Sequence, residues 1–272
     1  MLLDALTLQL GYNAALVAFG AAALGAAAGA VGAFLYLRKR ALVSDAISHA
    51  TLPGLALAFI ALVSLGFDGR NLPVLLAGSA LSAWVGLWCV GWLTSATRLA
   101  EDAAIGAVLS VFFGFGIVLL TVVQSLGTGQ QAGLDGFLLG STAGMLRSDL
   151  LTIAIGGSLV LLAVWALRRP LLMTAFDAGY AQVRGLDTKR LDLALMALVL
   201  AVTVVGLKIV GLILIVALLI IPAVAARFWS ENATHVVLLA AGLGGLSGYT
   251  GAALSATAPD LPTGPIIVLT SF

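Results

Sequence analysis

The chain has 272 residues, of which 61% are hydrophobic and 9% are charged, and its formal net charge is +1. Soluble domains carry about 25% charged residues, so this composition, with a mean hydropathy of +1.15, predicts an integral membrane protein. The small net charge indicates no nucleic-acid partner. The single cysteine, Cys89, excludes both an intrachain disulfide and a cysteine-rich metal site.

Stretches without Asp, Glu, Lys or Arg mark the predicted spans, because a span needs about 20 mainly apolar residues. In chain order these stretches are 5–37, 46–67, 71–97, 103–134, 150–167, 193–207, 209–226 and 232–259. A further apolar piece, 264–272, is too short to cross a bilayer. We therefore predict an all-α integral membrane protein in which one domain, residues 1–272, contains about eight transmembrane helices and a short C-terminal stub.

The basic residues predict how these spans are oriented, because cytoplasmic loops are enriched in Lys and Arg. We take the loop at 38–40 as cytoplasmic and let the spans alternate. All of the 13 basic residues then fall inside, except Arg70, Arg147 and Lys208. This distribution places the N-terminus outside.

Two pairs of glycines have the spacing that brings membrane helices close together. Gly25 and Gly29 lie four positions apart in one span, and so do Gly244 and Gly248 in another. Such GxxxG pairs favour close helix packing. They indicate structure rather than chemistry.

One segment combines polar groups with a membrane span. The sequence SDAISHATLPG, residues 44–54, places Asp45 and His49 four positions apart at the start of an apolar stretch. In a helix both side chains leave the same face, and a carboxylate with an imidazole suits zinc and manganese. Pro53 has no N–H and cannot donate to the His49 carbonyl. Since ionisable groups inside membranes are costly, the segment is a candidate metal pathway.

The same residues also have a purely structural explanation. Ser44 could cap a helix, Asp45 could complement the helix dipole, and His49 could bond to a neighbour. The residues alone favour neither interpretation.

The longest predicted cytoplasmic loop, 168–190, contains a short amphipathic pattern. Asp177 is predicted to open a helix, Tyr180 and Val183 to form its apolar face, and Gly185 to end it. Such a helix is either a docking element or a linker that lies on the membrane.

Several kinds of site are missing from the sequence. No Gly-Lys pair occurs, so the chain does not bind ATP through a GxxxxGK[ST] loop. No Ser-His-Asp or HExxH arrangement is visible, and only two histidines are present. Asp45 is the only carboxylate near a span interior, whereas proton-driven pumps usually need a chain of such groups.

Four motifs in this order resemble the membrane permease subunits of bacterial ABC importers for zinc, manganese and chelated iron. They are RKRALVSDAISHATLPGLALAF (38–59), FLLGSTAGMLRSDL (137–150), FDAGYAQVRGL (176–186) and VGLKIVGLILIVALLIIPAVAAR (205–227), the last followed by DLPTGPIIVL (260–269). The resemblance covers nearly the whole chain, and the first and fourth motifs are the most specific.

The resemblance implies a permease similar in fold to the vitamin B12 importers, in the bacterial cytoplasmic (inner) membrane and in contact with membrane lipid. A second copy of the chain would complete the translocation pathway. Cytoplasmic ATPase subunits would use ATP, and a periplasmic or lipid-anchored protein would deliver the metal. The chain itself would then be no enzyme, and no cofactor would be covalently bound to it.

The resemblance also assigns roles to particular residues. Asp45 and His49 would contact the passing divalent ion, with zinc favoured over manganese. Asp177, Tyr180, Ala181 and Gly185 match the motif of the helix that couples such permeases to their ATPases.

Two other classes of protein compete with this interpretation. An ATPase-independent secondary metal transporter would move the ion without using ATP. A non-transporting membrane scaffold would tolerate replacement of Asp45 and His49.

Overall fold

The computed structural model describes residues 12–67, 69, 71–125, 147–257 and 263–272, and the helices among them follow one another along the chain. They are α1 (Tyr12–Leu37), α2 (Leu42–Ser64), α3 (Leu72–Ala96), α4 (Glu101–Ser125), α5 (Arg147–Phe176), α6 (Ala178–Val183), α7 (Thr188–Trp229), α8 (Ala233–Ser255) and α9 (Thr263–Ser271). Residues 137–146 of the motif at 137–150 lie outside the described residues.

Seven stretches of helix in the described residues are long and apolar enough to cross a membrane. They are Tyr12–Leu37, Leu42–Ser64, Pro73–Ala96, Glu101–Ser125, Asp149–Phe176, Thr188–Leu207 and Ala233–Ser255. A shorter apolar helix, Leu214–Trp229, adds an eighth candidate, and α9 is a nine-residue stub. The predicted all-α architecture is therefore confirmed.

The stretches 193–207 and 209–226, which the sequence predicts as separate spans, both lie within the 42-residue helix α7. The helix is interrupted at Gly211, where φ is 76° and ψ is 172°. Glycine adopts this backbone conformation without the steric cost of a Cβ. The two halves of α7 therefore meet at a kink rather than through a loop.

Contacts between helices divide the chain into two units. The first unit comprises Met1–Ala41 and Leu139–Phe272, and it contains α1 and α5–α9. The second unit, Leu42–Leu138, contains α2, α3 and α4. The single permease domain over residues 1–272 stays a prediction.

In the first unit α1 packs against α5, α7 and α8. A Cβ on Gly25 would overlap the carbonyl oxygen of Gly244, and a Cβ on Gly29 would overlap that of Ala240. Gly248 in turn lies against the backbone of α1. The predicted role of both GxxxG pairs in close helix packing is confirmed.

In the second unit α2 packs against both α3 and α4. Gly54 of α2 and Gly78 of α3 lie in backbone contact, and Gly116 of α4 lies against Leu52 and Pro53. Small residues therefore allow α2 to pack closely against both α3 and α4. This packing positions the helix that carries Asp45 and His49.

Candidate functional site

Asp45 and His49 lie on one face of α2, at its beginning. The helix starts at Leu42, which places Asp45 in the first turn and His49 one turn later. Asp45 Oδ1 and His49 Nε2 are 3.3 Å apart, and the two side chains are 36% and 22% exposed, respectively. The expected adjacency of carboxylate and imidazole is therefore present in the structure.

The spacing of these two atoms suits a shared metal ion. Two ligands of a tetrahedral ion, each bonded at about 2.0–2.2 Å, lie roughly 3.3–3.6 Å from one another. The observed 3.3 Å falls at the lower end of this range. Within the described residues, no third His, Cys, Asp or Glu joins a group of this kind. One chain therefore offers two side-chain ligands from this turn.

The structural explanation of the same segment is supported only in part. Ser44 is the third residue of α2 and fully buried, so it lies inside the helix rather than at its N-cap. Its carbonyl oxygen accepts a hydrogen bond from Ser48 Oγ at 2.9 Å. Asp45, in the first turn, does complement the helix dipole. His49 Nε2 also lies within ion-pair distance of Asp45 Oδ1, so the expected contact of His49 with a neighbour is present.

Pro53 lies inside α2. Because proline has no N–H, the His49 carbonyl lacks the donor that the fourth following residue normally supplies.

An aromatic ring that the sequence analysis overlooked holds the imidazole of His49. The ring of Phe113, on α4, meets it edge-on, with centroids 4.8 Å apart and an interplanar angle of 76°. His49 Nδ1 is buried, and no described residue forms a hydrogen bond with it. Imidazoles that ligate metals tightly usually donate a hydrogen bond through their second nitrogen. Packing against Phe113 orients this ring instead.

The short helix α6 forms as the sequence predicts. Asp177 is its N-cap, and its side chain accepts a hydrogen bond from the Tyr180 N–H at 2.8 Å. At the other end Gly185 has a φ of 80°, and the Leu186 N–H donates to the Ala181 carbonyl at 3.0 Å. This is the hydrogen-bond pattern of a helix stop that requires a residue with positive φ.

The two faces of α6 differ in exposure. Ala181 is fully buried, whereas Tyr180 is 50% exposed and Val183 is 85% exposed. The predicted apolar face therefore points away from the packed part of the chain. Its use in docking stays a prediction.

A second polar cluster was not recognised from the sequence. Arg38 and Arg40, considered above only for membrane orientation, both contact the carboxylate of Asp192 near the start of α7. The sequence feature that could have indicated this cluster is the position of Asp192, directly before the apolar stretch 193–207.

Comparisons with known proteins match most of the chain to transport proteins. Residues 12–272 match the profile of the ABC 3 transport family. The chain is 41% identical over 271 residues to the "Manganese transport system membrane protein MntC" of Bacillus subtilis, a match that covers 98% of this chain and 61% of that protein. It is 40% identical over 253 residues to the "Zinc transport system membrane protein TroC" of Treponema pallidum, covering 93% and 83%, respectively.

A solved structure shows the same fold. It is "PsaBC from Streptococcus pneumoniae in complex with Fab", with a TM-score of 0.84 and 30% sequence identity. The superposition covers 100% of this chain and 92% of that one. The chain spans less than two thirds of the length of the Bacillus subtilis protein.

Proposed function

Because the chain belongs to the ABC 3 transport family, we propose that it is the transmembrane permease subunit of an ATP-driven importer of a divalent transition metal ion. The observation that carries the proposal is the placement of Asp45 Oδ1 at 3.3 Å from His49 Nε2, at the start of a helix long enough to span the membrane. Ionisable residues in such positions commonly mark the path of an ion.

The proposed cargo is zinc or manganese. A carboxylate oxygen and an imidazole nitrogen are ligands for both ions. The names of the two relatives support both as well, since one is called a manganese protein and the other a zinc protein. The preference for zinc that the sequence resemblance implies stays a prediction.

A second copy of the chain is proposed to complete the pathway. Structural zinc sites almost always have four ligands, whereas this turn offers two. Two copies, with Asp45 and His49 from each, would supply four side chains. An ion in transit must also be released, and the described residues offer His49 Nδ1 no hydrogen bond that would strengthen its hold on a metal.

Coupling to ATP is proposed to occur through α6. Its exposed Tyr180 and Val183 would dock on a separate cytoplasmic ATPase subunit, which would carry out all ATP hydrolysis. Asp177, Ala181 and Gly185 would hold the helix in shape. The chain itself would catalyse no reaction.

The proposed setting is the bacterial inner membrane, with the N-terminus outside and α6 on the cytoplasmic side. A periplasmic or lipid-anchored protein would deliver the ion from the outer face. The distribution of Lys and Arg supports this orientation.

Metal uptake into proteoliposomes tests the proposal. The complex would be purified with its native partners through a tag on this chain, and uptake of radioactive zinc and of manganese would be measured with and without ATP. We expect Asp45→Ala and His49→Ala to abolish uptake while ATPase activity persists. His235→Ala is the matched control, because this second histidine is exposed in the first turn of α8.

Two results would contradict the proposal. Uptake that survives in both site variants would make the Asp45–His49 turn a structural feature. Uptake that needs no ATP would favour the secondary transporter.

A further inference from the structure

Two arginines from the turn after α1 converge on one carboxylate. Arg38 Nη1 lies 2.6 Å from Asp192 Oδ1, and Arg40 Nη1 lies 2.7 Å from Oδ1 and 2.9 Å from Oδ2. The side chains are only 12% (Arg38), 30% (Arg40) and 31% (Asp192) exposed. Short, partly buried contacts between charged groups are stronger and less screened by salt than surface ion pairs. We call this cluster the Asp192 clamp.

The backbone of the turn explains how both arginines reach the same carboxylate. Lys39, between them, has a φ of 57°, a left-handed conformation that non-glycine residues rarely adopt. Its N–H donates to the Tyr36 carbonyl at 3.0 Å, and the Arg40 N–H donates to the Leu35 carbonyl at 2.9 Å. These bonds close the end of α1. Arg38 and Arg40 therefore project from a turn that is closed by backbone hydrogen bonds.

Asp192, the acidic partner in the clamp, lies in α7, the helix that directly follows α6. Gly185 ends α6, and Asp187 caps α7 by accepting hydrogen bonds from the Lys189 and Arg190 N–H groups, both at 3.1 Å. Only Gly185 and Leu186 separate Arg184, the C-cap of α6, from Asp187. Because this joint is short, we expect a displacement of α6 to reach the first turns of α7, where Asp192 lies.

We propose that Asp192 is a positioning residue that transmits movement of α6 to the turn between α1 and α2. The path runs from α6 through α7 and the Asp192 clamp to Arg40, which is followed after one residue by α2. Asp45 lies in the first turn of that helix. The inference rests on the proposed function, since it assigns α6 to the ATPase and Asp45 to the metal.

The test compares the same substitution at two aspartates. Asp192→Asn removes the charge at the centre of the clamp and keeps the size of the side chain. Asp102→Asn is the control, because Asp102 is exposed in the first turn of α4 and lies outside the proposed path. For each purified complex we would measure ATPase rate, metal uptake per ATP hydrolysed and thermal midpoint, with manganese and zinc as probes.

For Asp192→Asn we expect ATPase activity to persist and uptake per ATP to fall by about two- to thirtyfold, the range that coupling mutations produce. Asp102→Asn is expected to match wild type. Arg38→Gln should lower the ratio in the same direction, and the double variant Arg38→Gln/Asp192→Asn should lose no more than Asp192→Asn alone. Asp192→Glu, which restores the carboxylate, should recover part of the ratio.

Three results would overturn the inference. An unchanged ratio in Asp192→Asn, with wild-type uptake still dependent on ATP, would remove the clamp from the coupling path and leave the proposed function intact. A fall in ATPase rate, uptake and thermal midpoint together, without recovery in Asp192→Glu, would show a purely structural role. Absence of ATP-dependent uptake in the wild type would overturn the proposed function as well.

Discussion

Gly25 of α1 and Gly244 of α8 each occupy the space that a side chain on the other would need. A Cβ on either residue would overlap the backbone carbonyl oxygen of its partner. Backbone cannot move aside as a side chain can, so the two helices can approach this closely only with glycine at both positions.

Gly25→Ala or Gly244→Ala is therefore expected to destabilise the first unit. Overpacking of this kind costs about 1–3 kcal/mol, which should lower the thermal midpoint of the detergent-solubilised protein. Gly242→Ala is the matched control on α8, because a Cβ there meets nothing within 4 Å. Equal midpoints for all three variants would contradict the role assigned to this helix contact.

Phe113→Leu is expected to weaken metal uptake without abolishing it. The edge contact of Phe113 orients the His49 ring, and aromatic pairs of this type contribute about 0.5–1.5 kcal/mol. The metal concentration at half-maximal uptake should rise by roughly two- to tenfold. Phe115→Leu is the control, since Phe115 lines an apolar groove beside Pro53. A similar rise in both variants would mean that α4 packing, and not His49 orientation, is affected.

Asp177→Ala is expected to loosen α6. Loss of an N-cap costs about 0.5–2 kcal/mol, and a helix as short as Ala178–Val183 has few other internal hydrogen bonds. Amide hydrogen exchange over 178–183 should accelerate, and less ATPase should be retained by the complex. Asp177→Asn preserves a capping oxygen and should behave like wild type. If exchange is the same in both variants, the cap does not stabilise α6.

Cysteine labelling tests the proposed orientation. In a Cys89→Ser background, Val183→Cys and Phe67→Cys each place a thiol at an exposed position, the first at the end of α6 and the second after α2. A membrane-impermeant maleimide applied to intact spheroplasts should modify the cysteine at 67. The cysteine at 183 should react only after permeabilisation. The reverse pattern would invert the topology.

The ends of the predicted spans were set only by the positions of charged residues. This explains why they differ from the ends of the observed helices. The predicted span 150–167 stops before Arg168, whereas α5 continues to Phe176. The predicted span 46–67 begins after Asp45, whereas α2 begins at Leu42. Helices extend beyond the apolar core wherever charged side chains can reach the membrane surface. Asp45 lies inside α2, one turn from His49, as the spacing of the two residues predicts.

The sequence by itself determined the class of the protein, the approximate spans, the GxxxG contacts, the short helix after Asp177 and the pairing of Asp45 with His49. Each of these depends on composition or on residues a few positions apart, where helix geometry decides which side chains are neighbours. Only the tertiary structure decided that Phe113 meets His49 and that Arg38 and Arg40 share Asp192, more than 150 residues away. Local periodicity carries no information about such partners, because the packing of distant helices brings them together.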